Sequence, residues 1–209
     1  MTVRLHHQCS YCHPFCCSFL LVIVTGKVIV IMGVSGAGKS TIGKMLGKAL
    51  SCDFLDADDF HSLSNRDKMR QGIALSDEDR MPWLEKIQES LRKRLLNGET
   101  VVLACSSLRK LYREILRGSD PDYEQGSYSS CKVKFVLLEG NAEVIAARLQ
   151  KRASEGEHFM PLTLLQSQFD LLQADDECEK IFKISVILSP EVIVNTIHEM
   201  VGNSLREGI

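Results

Sequence analysis

Val28-Ile29-Val30-Ile31-Met32-Gly33-Val34-Ser35-Gly36-Ala37-Gly38-Lys39-Ser40-Thr41 is the stretch that decides the fold. Its first five residues are an unbroken, mostly β-branched apolar run, which reads as a buried strand. Beyond Thr41, residues Ile42, Met45, Leu46, Ala49 and Leu50 recur at helical spacing. Strand, glycine loop and helix in this order form a phosphate cradle of the pattern GxxxxGK[ST]. Glycines let backbone N–H groups close around phosphate oxygens, the lysine reaches the outer phosphates, and the hydroxyl ligates Mg²⁺. The partial positive charge at the helix start adds to the attraction. Without the flanking strand and helix, the glycines would be loop formers and Lys39 a surface charge. With them, Gly33, Val34, Ser35, Gly36, Ala37, Gly38, Lys39, Ser40 and Thr41 become candidate nucleotide-phosphate contacts, with Ser40 a candidate metal ligand.

The chain around this loop has 209 residues, 44% of them hydrophobic, enough for one substantial core with a small lid or insertion. A formal net charge of −2 gives no overall field that would draw the chain to nucleic acid or to an anionic membrane. Anionic ligands must therefore be held locally. Four of the eight cysteines crowd together as Cys9, Cys12, Cys16 and Cys17, and the others are scattered. Scattered cysteines in a chain with an adequate core read as reduced thiols in the cytoplasm rather than as a disulfide framework.

Residues 1–27 read as an N-terminal extension, disordered or variably spliced, that precedes a domain spanning 28–205. The alternative is organelle targeting, since Arg4 precedes a short apolar run from Phe15 to Val24. That run is short for a membrane span. Cys9-Ser10-Tyr11-Cys12-His13 matches a haem-attachment spacing, and with His6, His7, Cys16 and Cys17 it could hold zinc.

Past the first helix, Cys52 to Leu55 reads as a second strand ending in Asp56-Ala57-Asp58-Asp59-Phe60-His61. Ligands of an open parallel sheet bind beyond the carboxyl ends of the strands, which brings these carboxylates beside the loop if strands one and two are near. Asp56 and Asp58, at alternate positions, are the better candidates, and Asp59 fits a solvated turn equally well. The polar run Ser62 to Asp79 reads as solvated surface. An amphipathic helix is expected over Arg80 to Asn97, with Pro82 in its first turn and Gly98 ending it. Thr100 to Ala104 forms the third strand, and a basic helix follows from Leu108 with Arg109, Lys110, Tyr112, Arg113 and Arg117. Lys132 to Leu138 and Phe182 to Leu188 read as the remaining strands, and Pro190 to Leu205 as a closing helix. Between those strands, a helix over Asn141 to Arg152 carries Arg148 and Arg152, a break follows at Ser154 to Pro161, and a second helix returns from Leu162. A lid over phosphates at about 148–165 and an ordinary helix hairpin both fit that pattern. Strands alternating with helices make an α/β fold, a parallel sheet covered on both faces.

Asp56-Ala57-Asp58-Asp59-Phe60-His61, Lys68-Met69, Asp79-Arg80, Pro82-Trp83-Leu84, Cys105-Ser106-Ser107-Leu108, Tyr112-Arg113 and Leu116-Arg117 together closely resemble gluconokinases of the P-loop type. His158-Phe159-Met160 and Gln168-Phe169 resemble that family's lid. The resemblance implies a P-loop NTPase fold with five parallel strands in the order 2-3-1-4-5, helices on both faces and a helical lid. It implies transfer of the γ-phosphoryl of ATP, with Mg²⁺, to the 6-hydroxyl of D-gluconate, and a homodimer. By similarity Asp58 binds and deprotonates the acceptor, while Asp56 supports Mg²⁺ through water. The resemblance further assigns His61, Arg80, Lys110, Tyr112 and Arg113 to gluconate, and Arg148, Arg152 and His158 to closure over the phosphates, with Arg148 also catalytic. Ser62, Ser76 and Arg109 stand where proline, asparagine and lysine are usual in that family. A kinase for another small anionic acceptor such as shikimate is the alternative enzyme, although Ala104-Cys105-Ser106 replaces the triple glycine usual there. A non-catalytic ATP-binding regulator is the alternative outside enzymes, and the joint presence of Lys39, Ser40, Asp56 and Asp58 argues against it.

Overall fold

The computed structural model describes residues 26–154, 163–174 and 177–203. Strand β1 (Val28–Met32) leads through the loop into helix α1 (Lys39–Ala49), and β2 (Asp53–Asp56) ends in a 3-10 turn (Ala57–Phe60). Helices α2 (Leu63–Arg70) and α3 (Asp77–Leu96) precede β3 (Val101–Ala104) and α4 (Lys110–Arg117). Then come β4 (Val133–Glu139), α5 (Ala142–Ser154), α6 (Thr163–Leu171), β5 (Phe182–Ser185) and α7 (Pro190–Asn203).

All strand pairs are parallel and the sheet order is β2-β3-β1-β4-β5. Val28 is in register with Val101 on one side and Val133 on the other, so β1 is central. Its five residues are fully buried because side chains alternate between two covered faces. Val28, Val30 and Met32 join the cluster with Trp83, Leu84, Ile87 and Leu91 of α3. Ile29 and Ile31 join Ile42 and Leu46 of α1, Ile145 and Leu149 of α5, and Ile193 and Ile197 of α7. The strand that feeds the loop is thus clamped from both sides.

The polar run after His61 holds helix α2, which Ser62 caps by accepting from the Asn65 N–H at 3.1 Å. Helix α3 begins at Asp77, earlier than apolar spacing alone indicated. Ser76 Oγ accepts from the Asp79 N–H at 3.2 Å while the Asp79 carboxylate accepts from the Ser76 N–H at 3.1 Å, a reciprocal cap. Pro82 consequently lies inside the helix rather than in its first turn. Strand β5 stops at Ser185, leaving Ile187 and Leu188 exposed beyond it. Helices α5 and α6 pack on one another. The break between them, the heart of the expected lid, lies outside the described residues, as do His158, residues 1–25 and 204–209.

Candidate active site

The loop leaves β1 and is tied back to the neighbouring strand end, where Gly33 N–H donates to the Ser106 carbonyl at 3.3 Å. Gly36, at φ +83°, allows the left-handed turn, and a Cβ there would meet Leu149 Cγ of α5 at 2.8 Å. Lys39 Nζ donates to the Val34 carbonyl at 3.0 Å, folding the lysine back over the loop. Burial lowers its pKa, and the charges of Asp58 and Asp56 oppose that shift.

The acidic pair reaches the loop because α1 and β2 approach closely at Gly43, where a Cβ would lie 2.4 Å from Phe54 Cε2. Ser40 Oγ donates to Asp56 Oδ2 at 2.7 Å, and Asp56 Oδ1 accepts from the Asp58 N–H at 3.2 Å. Trp83 Nε1–H donates to the Ala57 carbonyl at 2.7 Å, pinning the turn between the two aspartates onto α3. Burial, then the adjacent Asp56 charge, raises the Asp58 carboxyl above the ordinary range, and Lys39 opposes them. His61 stacks on Trp83 with ring centroids 4.3 Å apart. Burial, helped by the charges of Arg66 and Arg80, lowers its pKa to about 4, so the imidazole is neutral at ordinary pH. Its Nδ1 is buried without a hydrogen-bond partner among the described residues.

These groups line one cleft of about 480 Å³. Of the sequence candidates, Ser35, Gly36, Gly38, Lys39, Ser40, Thr41, Asp56, Asp58, His61, Arg80 and Arg152 face it. Val34 and Ala37 are buried beneath the loop, and Gly33 lies at its root. Arg148 does not line the cleft: its Nη2 donates to the Val186 carbonyl at 2.6 Å. Lys110 and Tyr112 also stand outside the lining, with Lys110 Nζ 5.9 Å from the Tyr128 ring centroid. Tyr112 reaches the site indirectly, since Arg80 Nη1 donates to its hydroxyl at 3.4 Å and that hydroxyl donates to Asp77. Arg109 donates to the same Asp77 carboxylate, so Asp77 ties α3 to α4 behind Arg80.

Arg113 requires a correction. It is 0% exposed and forms a fork on Glu179, with Nε and Nη2 donating at 2.8 and 2.6 Å. Its remaining N–H groups donate to the carbonyls of Ser107, Leu108 and Gln173. An arginine so fully engaged has no donor left for a sugar carboxylate. Arg117, 1% exposed, completes the group through Glu179 Oε2 at 2.9 Å.

Sequence reading missed Arg66 and Arg70, which face the cleft from α2. Arg66 Nη2 donates to the Asp59 carbonyl at 3.0 Å. Their spacing of one helical turn was the available signal once Ser62 is recognised as a cap. Gln168 also lines the cleft, and its Oε1 accepts from the Ser35 N–H at 2.7 Å.

A glycine-loop helix start, a half-buried lysine, paired carboxylates at an adjacent strand end and a ring of arginines define a P-loop phosphotransferase. Residues 35–193 match the model of the shikimate kinase family. A gluconokinase from Arabidopsis thaliana is 93% identical over 183 residues, covering 88% of this chain and 96% of that protein. The thermosensitive gluconokinase of Escherichia coli strain K12 is 45% identical over 157 residues, covering 74% of this chain and 77% of its own length. A crystal structure of a gluconokinase from Sinorhizobium meliloti 1021 superimposes with a TM-score of 0.73 at 34% identity, covering 89% of this chain and 99% of that one. The chain belongs to the gluconokinase family, and it is an ATP-dependent kinase.

Proposed function

We propose that this chain transfers the γ-phosphoryl group of ATP to the 6-hydroxyl of D-gluconate, giving 6-phospho-D-gluconate and ADP. The observation that carries this reading is the 93% identity to a gluconokinase across nearly the whole of that protein. The cleft supports it, because a carboxyl with a raised pKa lies beside a phosphate loop and faces a cationic acceptor wall.

Phosphoryl transfer needs alignment and charge neutralisation more than covalent chemistry. In this reading the loop amides, Lys39 and Arg152 neutralise the phosphates. Asp58 orients the acceptor hydroxyl and takes its proton late in transfer. Arg80 holds the gluconate carboxylate, with Tyr112 and Asp77 fixing its guanidinium from behind. His61, neutral and stacked on Trp83, meets sugar hydroxyls without adding charge. Arg66 and Arg70 join the acceptor wall. The Ser40 hydroxyl and the Asp56 carboxylate, paired at 2.7 Å, offer hard oxygens that suit Mg²⁺ held chiefly by phosphates and water. When bound with the nucleotide, Mg²⁺ supplies further charge neutralisation at the phosphate oxygens.

No helix among the described residues is long and apolar enough to cross a membrane. Among the described residues, Cys52, Cys105 and Cys131 are free thiols, which supports placement in a reducing compartment such as the cytoplasm. An ADP-release assay against gluconate, shikimate and nucleoside monophosphates tests the function. Turnover is expected with gluconate alone. Nucleotide binding without gluconate-dependent turnover would remove the reading.

A further inference from the structure

Helix α6 makes a contact for which the transfer scheme has no use. Gln168 Oε1 accepts from the backbone N–H of Ser35 at 2.7 Å, joining residues 133 positions apart in the chain. Ser35 lies in the loop whose amides are built to donate to phosphate oxygens. A carboxamide oxygen on that amide has the acceptor chemistry of a phosphoryl oxygen and an ordinary hydrogen-bond length. Ser35 lies on the strand side of the loop, four residues before Lys39, the first residue of α1. Gln168 shares the cleft wall with Lys39 and Arg152. Its position is fixed by the helix, since Leu165 and Phe169 of α6 pack in the same cluster as Leu149 and Ile145 of α5.

We propose that Gln168 is a further catalytic residue of this kinase, a ligand to the transferred phosphoryl group that gives up the loop amide to it. When a phosphoryl oxygen takes the Ser35 N–H, the Gln168 carboxamide turns over and Nε2 donates to that phosphoryl group. A carboxamide carries an acceptor and two donors across one soft torsion, so it satisfies an N–H donor in one state and an anionic acceptor in the other. Glutamate keeps only the acceptor and adds a negative charge. Methionine keeps neither. The assignment rests on the reading of the cleft as a phosphoryl-transfer site.

The test compares the full chain with Gln168→Met and Gln168→Glu, by steady-state kinetics and by calorimetric titration of ATP and ADP without gluconate. For Gln168→Met, kcat should fall about tenfold or more, with KM for gluconate within about threefold. Its affinity for ATP should fall at least about threefold while that for ADP holds, a split that a purely packing role does not produce. Gln168→Glu should lose more, about a hundredfold in kcat, because its charge faces the phosphoryl group. The proposal is overturned if both variants keep kcat within about twofold, if ATP and ADP affinities change equally, or if the glutamate variant outperforms the methionine variant. Should the wild-type chain fail to turn over gluconate, the proposed acceptor falls, and the ATP-against-ADP comparison still decides the role of Gln168.

Discussion

Burial and the neighbouring Asp56 raise the Asp58 carboxyl while Lys39 draws it down, so this one side chain records the balance of the site. Asp58 has to be ionised to accept a hydroxyl proton, and kcat should therefore fall as pH drops through a pKa above the ordinary carboxylate range. Asp59 adds to the upward shift but lies outside the cleft lining. Asp59→Asn should move the acid limb to lower pH and leave the plateau within about twofold, as read from a kcat–pH profile. The same shift has a stability consequence. A carboxyl whose folded pKa is raised favours the fold when protonated, and that contribution is lost as pH rises through the folded pKa. Because Asp58 is itself exposed, water screens most of the cost of its ionisation, and Asp58→Asn should hold or only slightly raise the melting temperature while lowering turnover by about 10² to 10⁴. Lys39→Ala removes the central cation and should lower kcat by roughly 10² to 10³. His61, with its pKa near 4, stays neutral above that, so it should add no inflection of its own near neutrality to a wild-type profile.

Helix α4 shows how an element can carry basic residues for two different reasons. Its sequence suggests one cationic surface, but Arg113 and Arg117 turn inward to Glu179 and only the network behind Arg80 serves the cleft. Burial pushes the Glu179 carboxyl up, yet the hydrogen bonds and charges of Arg113 and Arg117 outweigh it and hold the pKa below the ordinary value. That depressed pKa stabilises the fold above the unfolded value, and the contribution is lost as pH falls through the folded one. Glu179→Ala leaves the buried Arg113 guanidinium without a counter-charge, while Arg117 keeps Glu114 at 2.6 Å, and should cost about 3–5 kcal/mol, measured by denaturant unfolding at neutral pH. The partner of Arg113 was not legible in the sequence, because Glu179 lies 66 residues away and neither periodicity nor composition reports such a pairing. Caps were legible in principle: Ser76 and Asp79, three residues apart, announce the start of α3 more firmly than its apolar stripe does. The approach of α1 to β2 was not, since Gly43 looks like a mere weak point in a helix until Phe54 is seen against it. Gly43→Ala should press on that ring, cost about 1–3 kcal/mol, and part Ser40 from Asp56. Phe54→Leu in the same chain should restore room, and recovery of turnover in the double variant checks the argument.

At the scale of the whole molecule, the strand-end rule made most of the site readable. The loop after β1, the aspartates after β2 and the serines after β3 all fall at carboxyl ends of parallel strands, and the order β2-β3-β1 sets them side by side. What stayed hidden came from elements off the sheet: the Gln168 contact and the burial of Arg113 depend on packing between segments far apart in sequence. The same sheet marks where the proposed domain begins. Lys27 already takes part in it, its carbonyl accepting from the Val101 N–H at 2.9 Å and its own N–H donating to Thr100 Oγ1 at 3.3 Å. Gly26 lies just outside, so close to the Glu99 carbonyl that a Cβ there would sit 2.3 Å from the oxygen. Every strand of the described sheet and every described residue of the cleft lies beyond that point. A chain starting at Gly26 after an initiator methionine should therefore keep kcat and KM for both substrates within about twofold, with its melting temperature unchanged. Tenfold loss of activity, or a destabilised fold, would show that residues 1–25 belong to the working domain.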